Sequence, residues 1–454
     1  MIRAFLTAFF MIALTMSAHA RDKVLDVQVI KTKSGIEAWL VEDKTVPVVS
    51  MNFSFDGGLA LDPDDKPGVG KLVSIMMDEG AGEMMAQEFQ KKLSDHAIGL
   101  SFTPGRDAFH GEMKTLKTNI DMAADMLAMA LTAPRFDPDA LTRMKNANTS
   151  SIRNDLGDPS WLVARSFNGM VFQGHYYSRP GAGHLESMEN ITRRDLLDFV
   201  EAQFARNVLK VAIAGDISKE EAEALVERIF ARLPEKADIP ATVPAKLQHA
   251  GQTILLQIAT PQTYISIGGD GISRDDPQWH AAVVMNFILG GGSFDARLMR
   301  EIREKRGLTY GVYSSINTMK NASLFQVSMS GANEKIEEAL DVMRSQFSLM
   351  AEKGVTAEEL STAKSYLTGS LLLELTSTSD ITETLNALQR DGESPDYINK
   401  RNALINAVTA AEAQAVAKRI LKPENMTTVL VGKPINIKTD ILLDKPPGMK
   451  EPQE

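Results

Sequence analysis

The feature that most constrains the fold is that the plan of the chain occurs twice. Ile191-Thr192-Arg193-Arg194-Asp195 opens an amphipathic stretch with a Thr ahead of an acid at capping-box spacing. Val408-Thr409-Ala410-Ala411-Glu412 does the same roughly 217 residues later. Each stretch is followed by an Asn and an apolar, β-rich run ending on Gly, Asn207 to Gly215 and Asn425 to Gly432, as expected of a buried strand entering a turn. The halves also begin alike. A strand after Pro is expected at Val46 to Phe53 and again at Thr260 to Ile267. Asp-rich turns follow at Asp62-Pro63-Asp64-Asp65 and Asp275-Asp276-Pro277, and each leads into an apolar helix. Four landmarks in matched order predict two copies of one fold.

Within each half, strands alternate with longer helices. Ile336, Leu340, Met343, Phe347 and Met350 fall at helical spacing, and Ser218-Lys219-Glu220-Glu221 starts another helix with a capping box. Segments such as Ile36 to Phe55 look like hairpins without helical crossovers, so the sheets should be mainly antiparallel. The fold class is α+β: two homologous α/β-sandwich domains, each a mainly antiparallel sheet with helices packed on it. Length agrees, since 454 residues exceed one ordinary core. The expected boundaries are 1–20 signal peptide, 21–233 first domain, 234–249 a linker interrupted by Pro234, Pro240 and Pro244, 250–440 second domain, and 441–454 tail.

The leader reads as an export signal. Arg3 is the charged start, Ala4 to Met16 the apolar core, and Ala18-His19-Ala20 a small-x-small cleavage site. The apolar run is too short to span a bilayer comfortably, so the mature chain should start at Arg21 without stable membrane insertion. The alternative is an uncleaved anchor. If the source is a Gram-negative bacterium, export would mean the periplasm. The net charge of −10, which becomes −11 once Arg3 is removed, argues against nucleic acid as a partner. With no Cys, disulfides, thiol catalysis and Cys-zinc sites are excluded.

Two segments carry a resemblance. Gly68 to Gly80 (GVGKLVSIMMDEG) resembles the zinc-binding helix of the pitrilysin/insulinase (inverzincin) metallopeptidases, and Asn286 to Tyr313 (NFILGGGSFDARLMREIREKRGLTYGVY) resembles their substrate-holding segment. Gly174-His175-Tyr176-Tyr177 through Ser187 and Glu358 to Lys364 are similar to two further family segments. The resemblance covers almost the whole mature chain and implies a two-domain half-clam that closes with a second such unit around a peptide.

The family's zinc helix carries H-x-x-E-H. Here Lys71, Ser74 and Ile75 stand at those positions. Lys71 is a cation at neutral pH, Ile75 has no donor atom, and Ser74 replaces the general base, so no metal is expected on this chain. The third ligand, expected about 77 residues further on, falls in Ala147 to Arg153, which offers neither carboxylate nor imidazole. No two of the mature chain's His are spaced i, i+3 or i, i+4. Asp78-Glu79 remains only a weak cation candidate.

The other half of the site is retained. Arg303 and Tyr310 match the pair that in this family reaches into a partner's active site, Arg303 toward a peptide carbonyl and Tyr310 toward the developing oxyanion. The alternative is a surface ion pair of Arg303 with Glu301 or Glu304 and a Tyr310 packed at a strand edge. Gly290, Gly291 and Gly292 either let a substrate approach closely or make a helix-entry turn.

The resemblance therefore implies a non-catalytic, substrate-positioning subunit of a heterodimeric exported zinc endopeptidase. A zinc-motif-bearing partner of the same family would hold the Zn, and peptides would be the substrates. The alternatives are a structural scaffold and a peptide-binding protein of the same fold.

Overall fold

The computed structural model describes residues 23–237, 239–292 and 295–448. The leader assigned to residues 1–20 and the last residues of the expected tail, 449–454, lie outside them.

The first half supplies strands Gln28–Lys31 (β1), Glu37–Glu42 (β2), Val48–Asp56 (β3), Gly99–Pro104 (β6), Ala108–Leu116 (β7) and Leu209–Gly215 (β8). Gly80–Ala81 (β4) and Met84–Met85 (β5) form a small separate ribbon. The sheet order is β1-β2-β8-β3-β7-β6, with only β2 and β8 running parallel. The second half repeats the plan with Thr253–Gln257 (β9), Gln262–Asp270 (β10), Gly311–Met319 (β11), Ala322–Ala332 (β12), Thr427–Gly432 (β13) and Ile441–Leu443 (β14). Their order is β11-β12-β10-β13-β9-β14, again mainly antiparallel. The α+β duplication read from the sequence is the observed architecture. The expected capping boxes form at Thr192, Ser218 and Thr409, and the expected long helix is Ile336–Lys353.

Two local expectations are corrected. Ile36 to Phe55 is not a hairpin, because β8 inserts between β2 and β3 and pairs with both. The turn before Pro47 wraps the end of β8, where Asp43 N donates to Gly215 O and Asp216 N to Val48 O. Ile441–Leu443, placed at the start of the tail, is instead an edge strand beside β9.

Gly215 and Gly432 end the two inserted central strands for the same reason. Each has positive φ, +136° and +149°. A Cβ on Gly215 would lie 2.1 Å from Val48 O, and one on Gly432 would lie 2.6 Å from Thr263 Oγ1. Gly215→Ala is therefore expected to lower stability by about 2 kcal/mol through strain and overpacking. A shift of the guanidinium midpoint at unchanged m-value would show it.

Strand alternation divides each sheet into two faces. In the first sheet Leu40, Met51, Phe53 and Ile213 point into a core built with helices of their own half, among them Val69–Met76 (α1), Pro138–Asp155 (α2) and Lys219–Phe230. The opposite face, with Trp39, Val41, Ala212 and Ala214, is covered by a helix of the second half. The reverse holds on the second sheet. Pro159–Val171 (α3) lays Leu162, Phe167 and Val171 on Ile254, Val429 and Val431, while helices of the second half, Trp279–Asn286 (α4) among them, fill that sheet's other face. Ala357–Gly369 (α5) belongs to the second half's own layer, and Thr378–Arg390 (α6) is the helix given to the first sheet. The halves thus exchange one helix each. Polar bonds fix α6 in register: Ser50 Oγ lies 2.8 Å from Thr378 Oγ1, and Asn52 Nδ2 donates to Thr382 Oγ1 at 2.9 Å.

Candidate functional site

The helix α1 starts where Asp62 holds it. Its carboxylate is buried and accepts from Gly68 N and Gly70 N, both at 2.7 Å, which satisfies two of the free N–H groups at the helix start. Burial pushes the Asp62 pKa up to about 6, against the opposing pull of those two N–H groups and of Arg179. The sequence signal for this anchor was only the Asp-rich turn followed by two glycines.

Lys71, Ser74 and Ile75 lie together on α1. Ser74 is 3% exposed, and its hydroxyl donates to Lys71 O at 2.8 Å, so its proton is committed to its own helix. Lys71 and Ile75 are half-buried, and the Lys71 ammonium makes no hydrogen bond or ion pair among the described residues. The helix α2 packs on α1 and buries Ala140, Leu141, Asn148 and Ile152. Asn148 donates its amide to Ala182 O at 2.8 Å. The nearby acids are engaged: Asp78 accepts from Gln90 Nε2 at 2.8 Å, and Glu79 pairs with Arg143. Among the described residues no group of three His, Cys, Asp or Glu is placed to hold a metal ion. An ammonium, a committed hydroxyl and an alkyl group do not fit zinc.

Arg303, Tyr310 and the glycine run belong to the other sheet. Gly290 and Gly291 end a π-helical turn, Phe287–Gly291, that continues α4; Arg303 lies on a second π-helical turn, Met299–Glu304. Both turns pack on β11. The glycines admit no side chain, since a Cβ on Gly290 would stand 2.9 Å from Ser314 Oγ and one on Gly292 would stand 2.0 Å from the Phe287 ring. Arg303 is half-buried, and its carbonyl accepts from Gly307 N at 2.9 Å. Glu301, weighed as its ion-pair partner, is bonded by Lys305 at 2.7 Å and Arg306 at 2.9 Å, and these contacts hold its carboxyl below the usual range. Tyr310 stands just before β11 with 79% of its surface exposed, and Tyr313 follows at 59%. Lys71, Ser74 and Ile75 thus lie on α1 in one half, and Gly290–Gly292, Arg303 and Tyr310 lie around β11 in the other.

Sequence reasoning also missed the junction between the halves. The turn after β6 places Asp107 against the turn between β11 and β12. Its carboxylate accepts from the hydroxyls of Tyr176 and Tyr177, the latter at 2.8 Å, and from Lys320 N at 3.1 Å. Asn321 completes the knot, with its N donating to Tyr177 Oη at 3.1 Å and its amide to Tyr176 Oη at 2.9 Å. The Gly174-His175-Tyr176-Tyr177 segment was legible as a motif, but not as the clasp joining two sheets.

Comparison with known proteins identifies the family. Residues 38–160 match the family described as insulinase (peptidase family M16), and residues 190–367 match the peptidase M16 inactive domain. An uncharacterized zinc protease of Streptomyces coelicolor is 26% identical over 315 residues, 68% of each chain. A protein named non-peptidase homolog YmxG, from Helicobacter pylori, is 26% identical over 334 residues, covering 72% of this chain and 76% of its own. The crystal structure of a peptidase M16 inactive domain from Pseudomonas fluorescens superposes with a TM-score of 0.85 at 27% identity, covering 91% of this chain and all of that one.

Proposed function

Given that the chain belongs to the insulinase (M16) peptidase family and carries no zinc motif of its own, we infer that it is the non-catalytic, substrate-positioning subunit of a two-chain endopeptidase. The partner is a family member with an intact motif, and it supplies the metal and the general base. This chain contributes Arg303 and Tyr310. The observation that carries the reading is Tyr310: a large phenol standing almost fully in solvent beside a second exposed Tyr, with no hydrogen bond among the described residues. Such a ring costs apolar exposure in an isolated chain and is suited to a surface that another protein covers. In the covered state the hydroxyl can donate to a developing oxyanion and the Arg303 guanidinium can grip a carbonyl. Gly290–Gly292 lie in the same layer and would flank the bound peptide.

The substrates are unfolded or short peptides, and the chain works after export, in the periplasm where the cell has one. Among the described residues no helix is long and apolar enough to cross a membrane.

The test is hydrolysis of a quenched fluorogenic peptide library by the mature chain, alone and mixed with a zinc-motif partner. Activity only in the mixture is expected. Chelator-sensitive hydrolysis by this chain alone would overturn the reading. A confirmed complex with no gain in turnover would favour a scaffold.

A further inference from the structure

Beside the interhalf clasp lies a cavity of about 200 Å³, walled by Leu59, Trp161 and Pro180 and lined by three arginines, Arg106, Arg165 and Arg179. Their partners do not balance their charge. Arg165 is 7% exposed and, among the described residues, donates only to backbone carbonyls, those of Ser178 and Pro447, while its Nε has no acceptor. Arg106 has five N–H groups, and among the described residues its one hydrogen bond is to the Met319 sulfur at 3.2 Å, with the guanidinium over the Phe172 and Tyr177 rings at 5.8 and 5.6 Å. Among the described residues Arg179 pairs only with the fully exposed Asp64 and otherwise donates to the carbonyls of Asp62 and Ala60. Two further carboxylates are close, and the oxygens of both are taken. Asp62 serves the N-terminus of α1, and Asp107 serves the two tyrosines and Lys320 N.

Buried charge without a partner is costly, and native proteins compensate it with an ion or ligand. Burial lowers the pKa of both Arg106 and Arg165, the latter to about 10, and Arg106 adds its own repulsion to Arg165. Arg179 has Asp64 as its ion-pair partner, so Arg106 and Arg165 are the guanidiniums that face the cavity without a carboxylate of their own. With the carboxylates of Asp62 and Asp107 close by, a singly charged carboxylate is repelled less than a phosphate dianion and can still accept from those N–H groups. The apolar walls suit a short hydrocarbon or aromatic body attached to it.

We propose that this cavity is a binding site for a monocarboxylate with a small apolar body, gripped chiefly by Arg106 with Arg165 behind it. The carboxyl group can belong to a peptide C-terminus or to a free organic acid, and the recognition chemistry is the same. The site needs neither the partner subunit nor proteolysis, so its test stands apart from the functional reading above.

The experiment is calorimetric titration of the full mature chain at fixed ionic strength, with four probes: 3-phenylpropionate, its amide, the peptide Ala-Ala-Phe and that peptide amidated at its C-terminus. Both free acids are expected to bind and both amides are not. Binding of the peptide acid alone would also support the site and assign it to chain termini. Arg106→Met should weaken binding by about tenfold or more, as loss of a charge-assisted contact does. Ala164→Glu, on the exposed rim, should abolish binding by supplying an internal carboxylate, which keeps the test decisive if Arg106→Met unfolds. Equal binding of acid and amide, replacement of the effect by chloride alone, or unchanged affinity in the folded Ala164→Glu chain would overturn the proposal.

Discussion

Arg297→Ala is expected to cost about 3–5 kcal/mol of folding stability, because it strands a partly buried carboxylate rather than simply deleting a contact. Arg297 is 6% exposed and grips Glu359 with two bonds of 2.7 and 2.6 Å, with a third to Gly354 O at 2.9 Å. Glu359 is also the acid of the capping box that starts α5, accepting from Thr356 N at 2.8 Å. One side chain therefore fixes both the helix start and the segment leading to Arg303. Burial raises the Glu359 pKa, but the bonds from Arg297 and Thr356 outweigh it and hold the carboxyl below its ordinary value of 4.5. A group held low in the folded state contributes stability above its unfolded pKa and loses it as pH falls through the folded one. Urea denaturation at neutral pH should thus show the full loss in Arg297→Ala, and the difference from the unaltered chain should shrink as the pH is taken below 4.5. Replacing both residues by Met should recover part of the loss, since a matched apolar pair leaves no orphan charge.

The second large effect concerns turnover. In the assembled pair, Tyr310→Phe should lower kcat by about 10²–10³-fold with little change in KM, the usual consequence of losing one oxyanion donor. The melting temperature of the isolated chain should hardly move, because an exposed hydroxyl without a partner contributes little to folding. Arg303→Ala should act differently, raising KM if its role is to hold the peptide before reaction. Steady-state kinetics on the reconstituted pair separate the two. Unchanged kinetics in both variants, with assembly intact, would leave this chain a scaffold.

Much of the architecture could be read from residues alone because it is local. Thr192, Ser218 and Thr409 announce their helices by capping chemistry, and Gly215 and Gly432 close their strands because neighbouring backbone leaves no room for a Cβ. That Lys71 and Ile75 are poor metal ligands follows from side-chain chemistry alone, since an ammonium has no free lone pair and an alkyl group has no donor atom. What stayed hidden depends on distant pairing. Nothing in β2 and β3 says that β8 will separate them, since strand alternation marks a buried face without naming a neighbour. Nor does the apolar stripe of α3 tell which sheet it will cover. The arginine cavity is the extreme case: Arg106, Arg165 and Arg179 look like unremarkable surface charges until three separate segments bring them together.

The exchange of α3 and α6 bears on how the chain is made. As synthesis proceeds from the N-terminus, the first sheet can assemble once β8 has emerged, yet one of its apolar faces must wait for residues near 390. Meanwhile α3 offers Leu162, Phe167 and Val171 to a sheet that does not yet exist. The first half cannot finish folding as an independent unit, and its unfinished surface is the kind that chaperones bind and that aggregates form from. Any vectorial passage of this chain, out of a ribosome or across a membrane, must therefore keep the leading half unfinished until the trailing half arrives to close it.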